Sequence, residues 1–202
     1  MKAQIIEKAS ELFLEFGFKS VTMDDLANEL SVSKKTIYEY FNNKAHLVEE
    51  VALFVRNHIH EQIDHIMQQN FDPIQELFEI KRMVLRRLKD EKSSPQYQMQ
   101  KYYPEIFAKL KDSQVCKMDE CCTQNLERGI QLGLYREDLN RIFITRLYIS
   151  GMMNLKNEEL FQVTELSPKQ LYEEFLSYHL RSIVTEKGLF RLIELETNLH
   201  HA

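Results

Sequence analysis

Apolar positions recur with helical spacing from the first residues of the chain. Ile5, Ala9, Leu12 and Phe16 fall at i, i+4, i+7 and i+11, with Ile6 and Phe13 beside them. This predicts an amphipathic helix from Lys2 to Phe16. Gly17 follows in a helix-stop position. Thr22 then offers an N-cap, with Asp25 as a short-armed capping partner. The short helix it opens has Met23, Leu26, Ala27 and Leu30 along one apolar edge, and Ser31-Val32-Ser33 breaks it. A third short helix, Lys34 to Phe41, has Ile37 and Tyr40 on its inner side and Phe41 at its end. Tyr40 and Phe41 are expected in the core, with Lys34, Lys35, Tyr38 and Glu39 on the other side. Helices of about two turns are not stable alone, so both must pack on the first.

Asn42-Asn43 is the next break. From Lys44 there is no glycine or proline until Pro73, and Leu47, Val51, Phe54, Val55, Ile59, Ile63 and Ile66 sustain one stripe. That predicts a helix of about 25 residues, roughly 37 Å long. Asp72-Pro73, Ser94-Pro95, Tyr103-Pro104 and Ser167-Pro168 each open a helix with proline at its start. Ile74, Leu77, Phe78, Val84, Leu85 and Leu88 are expected inside, and Asp90 to Ser94 forms a polar connection. The helix from Pro104 is expected to stop near Gly133, and the one from Pro168 before Gly188, with a short helix near Leu189 to Glu196. Arg141 to Ile149 is rich in branched and aromatic residues and could be a strand. Its flanks, a capping Asp138 and the polar NLKNEE run, suit one helix reaching about Lys156 instead. The fold class expected is all-α, with about nine to ten helices.

Composition agrees. With only five glycines and four prolines in 202 residues, the chain lacks the turn residues of a sandwich or barrel. Apolar residues at 44% supply a core. No apolar run approaches the roughly 18–20 residues of a membrane span, and the charged N-terminus lacks a signal-peptide core. Three cysteines, an odd count, argue against a secreted disulfide framework. A cytoplasmic protein is expected. A net charge of −5 excludes a general polyanion binder, so any nucleic-acid site must be local. The window Ser31 to Lys44 supplies one, with three lysines against one glutamate. Three short helices before a long one form a helix-turn-helix arrangement, whose second member enters the DNA major groove.

The segment FGFKSVTMDDLANELSVSKKTIYEYFNNKAHL resembles the DNA-binding signature of the TetR family of bacterial transcriptional regulators. The matching positions are Gly17, Val21-Thr22, Leu26-Ala27, Val32-Ser33-Lys34, Thr36-Ile37-Tyr38, Tyr40-Phe41, Lys44 and Leu47. The resemblance covers about residues 3 to 50. It implies a helix-turn-helix DNA-binding domain over 1–47 and a larger helical ligand-binding and dimerisation domain over 48–202. It implies a homodimer on a double-stranded operator with an inverted repeat, most often a repressor, released by a small apolar inducer. Carried over by position, phosphate contacts fall to Thr22, Tyr38 and Lys44, and base or backbone contacts to Ser33, Lys34, Lys35 and Thr36. Two positions depart from the family pattern. Ser31 stands where glycine is common, at about 1 kcal/mol if the backbone there is left-handed. Glu39 stands where histidine or a neutral group is frequent, and its role stays open.

Adaptable methionines and flat aromatics between residues 54 and 153 suit an apolar ligand. The candidate walls are Phe54, His58, Met83, Tyr102, Tyr103, Phe107, Met118, Tyr148 and Met152. For the dimer, the candidates are Phe143, Leu147, Gly151, Leu171, Phe175 and Tyr178, on helices with more apolar residues than one face needs; Gly151 is expected to permit close backbone approach. His58, Glu61 and His65 share one helix face, but metal-site spacing motifs are lacking, so no metal is expected. Cys116, Cys121 and Cys122 lack a thiolate-activating cluster. No phosphate-cradling glycine loop or nucleophile elbow is present, so neither an enzyme nor a cofactor is expected. The alternatives are a helical enzyme with scattered residues and a structural helical dimer without sequence-specific DNA binding.

Overall fold

The computed structural model describes residues 1–86, 95–155, 161 and 166–199, and among these the apolar stripes fold as ten helices. They are α1 (Lys2–Phe16), α2 (Met23–Glu29), α3 (Lys34–Tyr38), α4 (Lys44–Met67) and α5 (Pro73–Leu85). Then follow α6 (Pro95–Tyr102), α7 (Pro104–Gln131), α8 (Arg141–Asn154), α9 (Pro168–Ile183) and α10 (Glu186–Leu199). The expected connection Asp90 to Ser94, Leu88 and the helix end at Lys156 lie outside the described residues.

The chain divides into two compact units. The first contains residues 1–62 and 89–114. Its core is the inner face of α1 (Ile5, Ala9, Phe13) closed by Leu26 and Ala27 of α2, Ile37 of α3, Phe41, and Leu47, Val48 and Val51 of α4. α6 and the start of α7 belong to the same core through Met99, Tyr103, Ile106 and Phe107. Gly17 ends α1 at φ 87°, a conformation that costs an L-side chain energy. The space where its side chain would be is taken by the amide of Gln98, whose Oε1 accepts from the Lys19 amide at 3.2 Å.

The second unit contains residues 63–88 and 115–202. Ile74, Leu77 and Phe78 of α5, Leu126 of α7, Tyr148 of α8 and Leu176, Leu180 and Ile183 of α9 form its core. A polar network lies inside it. Glu76 accepts from Asn125 at 2.7 Å and from Arg128 at 2.6 Å, and Tyr135 donates to Asn125 at 3.0 Å. Burying such groups is tolerable only because each is paired.

Three expectations are corrected. The cap of α8 is Asn140, whose Oδ1 accepts from the Phe143 amide at 3.1 Å; Asp138 instead pairs with Arg136. Gly188 lies in the first turn of α10, because the Thr185 hydroxyl accepts its amide and starts that helix earlier. Gly151 does receive a close approach, but from Phe175 of the same chain, whose ring fills the space a side chain would need.

Candidate nucleic-acid interface

The start of α2 and its turn into α3 are built by local hydrogen bonds. The Thr22 hydroxyl accepts from the Asp25 amide at 3.1 Å, while Asp25 Oδ2 accepts from the Thr22 amide at 2.8 Å. These bonds from Thr22 hold the Asp25 carboxyl below its usual range. Ser31 closes α2 with φ 54°, the left-handed conformation anticipated for a glycine position. Ser33 then caps α3, accepting from the Thr36 amide at 3.1 Å, and the two hydroxyls lie 2.8 Å apart. α3 has five residues and is held from below by the fully buried Ile37 and Phe41.

Lys34, Lys35, Tyr38, Glu39 and Tyr40 are thereby left on the surface. Tyr38 is 43% and Tyr40 40% exposed. The expectation that Tyr40 is core is corrected. α3 ends at Tyr38, and Phe41 takes the inward position, its amide bonded to the Ile37 carbonyl at 3.0 Å. Tyr40 is therefore a surface group beside Tyr38 that periodicity alone had placed inside; the helix end after Tyr38 was the missing signal.

The cationic groups are engaged within the unit. Lys34 donates to Asp24 of α2 at 2.7 Å. Lys44 donates to the Lys19 carbonyl at 3.4 Å, and partial burial lowers its pKa. Asn43 caps α4, accepting from the His46 amide at 2.9 Å. Among the described residues no carboxylate pairs with Lys35, which is exposed. The arrangement is a rigid, short helix presenting lysine, hydroxyl and phenol donors, the groups that meet phosphates and base edges.

The family profile described as "Bacterial regulatory proteins, tetR family" matches residues 5–51, which include every one of these groups. Residues 5–51 match the TetR family. The matched stretch is the helix-turn-helix part of the chain, and a larger all-helical part follows it, a TetR-like fold. Among the relatives, YhgD of Bacillus subtilis (strain 168), an HTH-type transcriptional regulator, is 36% identical over 67 residues. That match spans 33% of this chain and 35% of YhgD, so the chain matches about a third of that relative's length. IcaR of Staphylococcus aureus (strain Newman), the HTH-type negative transcriptional regulator of the biofilm operon icaADBC, is 26% identical over 201 residues, covering 93% of this chain and all (100%) of IcaR. A transcriptional regulator from Cytophaga hutchinsonii ATCC 33406 shares the fold, with a TM-score of 0.73 at 20% identity over 91% of this chain and 98% of that one.

The ligand candidates are divided between the two units. Phe54, His58, Tyr102, Tyr103 and Phe107 belong to the first unit, and Met83, Met118, Tyr148 and Met152 to the second. Phe54, His58 and Tyr102 are exposed, while Tyr103 and Phe107 pack on the first core. A cavity of about 20 Å³ lies in the second unit, lined by residues of α5, α7, α8 and α9 that include Cys122, Thr145, Tyr148 and His179. It has room for about one water molecule. Of the candidates only Tyr148 lines it. His179 was not anticipated. Its ring lies 4.5 Å from that of Tyr148, and burial lowers its pKa to about 4.

Of the dimer candidates, Phe143, Leu147 and Tyr178 are exposed, while Gly151, Leu171 and Phe175 are half-buried. His58 and His65 each lie 3.3 Å from a glutamine, Gln62 and Gln69, on an exposed face. Burial pushes the Cys121 thiol up to about 11 and the Cys122 thiol up to about 12, which disfavours a reactive thiolate at either. No described helix is long and apolar enough to cross a membrane.

Proposed function

We propose that the chain is a ligand-responsive transcriptional repressor that binds an inverted-repeat operator as a homodimer in the cytoplasm. The observation that carries this is the α3 surface: Lys35, Tyr38 and Tyr40 stand exposed on a helix locked from below by Ile37 and Phe41. Residues 1–47 are the DNA-binding domain in this reading, and 48–202 the ligand-binding and dimerisation domain. Ser33, Lys35 and Thr36 contact bases or backbone, while Lys34, expected among these contacts, keeps its Asp24 partner at the operator. Thr22, Tyr38 and Lys44 contact phosphates, Thr22 and Lys44 after yielding their present partners. IcaR, a negative transcriptional regulator that aligns over its whole length, supports repression. The outer faces of α8 and α9, with Phe143, Leu147 and Tyr178, form the dimer contact. No enzymatic activity and no cofactor belong to this reading.

A ligand acts by binding DNA-competent and incompetent states unequally. α4 runs without interruption from Lys44 to Met67, from the DNA-binding unit into the other. A small apolar inducer enters the cavity beside Tyr148 by displacing its walls, because the space present holds only about one water molecule. The test is a gel shift of the full chain with the DNA upstream of its own gene against a scrambled duplex of equal length. Preference for the upstream DNA is expected; equal binding to both overturns the regulator reading.

A further inference from the structure

Lys34 and Asp24 lie ten residues apart in sequence, in the first turns of α3 and α2, and meet at 2.7 Å. Among the described residues this lysine is the partner of the Asp24 carboxylate. The neighbouring Asp25 differs, because it completes the cap of α2 through the Thr22 amide and hydroxyl. Lys35, one residue beyond Lys34, has no carboxylate partner among the described residues. Two adjacent lysines on one reading helix are thus in different electrostatic states, one paired and one free.

We infer that Asp24 is a specificity-determining residue: it competes with phosphate for Lys34 and so weakens attraction to DNA that is held through phosphates alone. This rests on the DNA-binding function proposed above. Attraction between lysine and phosphate is independent of sequence. A lysine already paired must release its carboxylate before it meets a phosphate, and the freed carboxylate then faces the negative field of the duplex. Both costs fall on non-specific DNA, which is held through phosphates alone. A site that engages Lys35, Thr36 and Tyr38 is held with the Lys34–Asp24 pair intact and bears neither cost. Discrimination between partners is a difference of affinities, and a penalty on the wrong ones raises it.

The experiment uses the full chain, with fluorescein-labelled upstream DNA and a scrambled duplex of equal length, titrated by anisotropy across a salt series. Asp24→Asn tightens binding to scrambled DNA by about 3- to 10-fold at low salt and steepens the salt dependence by about 0.9 in slope, one added phosphate contact. Upstream DNA gains less, so the specificity ratio falls. Asp24→Glu restores the wild-type ratio, and Asp24→Asn produces no gain in a Lys34→Ala background. An unchanged slope and ratio in Asp24→Asn overturn the inference, as does an equal gain with Lys34 removed, which is a general charge effect. A wild-type chain that shows no preference for upstream DNA overturns the regulator reading itself and this inference with it. A wild type with preference beside an unresponsive Asp24→Asn overturns this inference alone.

Discussion

The amide of Val32 donates to the carbonyl of Ala27 over 3.0 Å, and Ser31 between them stands at φ 54°. The Ser31 amide bonds the Asn28 carbonyl at 3.0 Å, which completes a paired closure of α2 that needs one left-handed residue. An L-residue in that conformation costs about 1–2 kcal/mol, partly offset by the larger unfolded-state entropy of glycine. Ser31→Gly is therefore expected to raise stability by about 0.5–1 kcal/mol. Urea unfolding of the full chain measures it, and a lower midpoint would contradict the strain argument.

The buried network of the second unit gives a larger effect in the opposite direction. Glu76 receives Asn125 and Arg128, and Asn125 receives Tyr135. Tyr135→Phe leaves the Asn125 carbonyl oxygen without its donor, at about 1–2 kcal/mol. Glu76→Ala removes the carboxylate shared by Asn125 and Arg128 and leaves them only the Pro73 and Phe71 carbonyls, at about 3 kcal/mol. Chemical denaturation of the two variants should rank them in that order. Equal midpoints would mean that the network contributes little beyond its packing.

These two sites mark what could be read from the sequence. The α1 stripe, the Thr22–Asp25 cap and the strained Ser31 are local, set by residues within five positions of one another, and periodicity and capping rules reach that far. Glu76 and Asn125 are 49 residues apart. A lone glutamate in a helix pattern reads as solvated surface until its partners are known. Tyr40 failed for a related reason: its position follows from where α3 stops, and a tertiary anchor, Phe41, decides that. The interface lysines were legible as a positive window, but their pairing with Asp24 and the Lys19 carbonyl was not.

His179 makes stability depend on pH. It is buried against Tyr148 and Phe175, and burial alone lowers its pKa from about 6.5 to about 4. The folded pKa lies below the unfolded one, so the unfolded chain takes up this proton first. The stability tied to a neutral ring is complete above about pH 6.5 and is lost as pH falls toward 4, up to about 3 kcal/mol. His179→Phe keeps a ring beside Tyr148 and should flatten this part of the profile relative to wild type. Parallel curves of unfolding free energy between pH 4 and 7 would rule out His179 as the source.

Lys35 and Lys44 separate two kinds of DNA contact. Lys44 ties α4 to the Lys19 carbonyl at the edge of the reading unit, so Lys44→Ala should weaken binding to all sequences alike and lower the salt slope by about 0.9. Lys35 is free on the surface of α3, and Lys35→Ala should also change which bases are preferred, by about 1–3 kcal/mol at the affected position. Selection from a randomised operator library distinguishes the two. If both variants keep wild-type affinity at physiological salt, the surface assigned to DNA is the wrong one.

Ile142, Phe143 and Tyr178 are 77%, 60% and 70% exposed, and among the other described large apolar side chains Phe190 of α10, at 69%, is comparably open. Leu147, one turn beyond Phe143 on α8, is exposed as well. Water contact on so many apolar groups is unfavourable, and burial against a second copy recovers about 25 cal/mol for each Å² covered. A two-fold contact presents each patch to itself, so one charge introduced into it is met by the same charge on the partner. Phe143→Glu combined with Tyr178→Glu should therefore give a monomer in sedimentation equilibrium at micromolar concentration, where the wild type is expected to be a dimer. The double variant leaves α3 untouched, so it should still bind a half-site weakly. It should lose its preference for inverted repeats whose halves are one helical turn apart, about 34–36 Å. A variant that stays dimeric would place the contact elsewhere than α8 and α9.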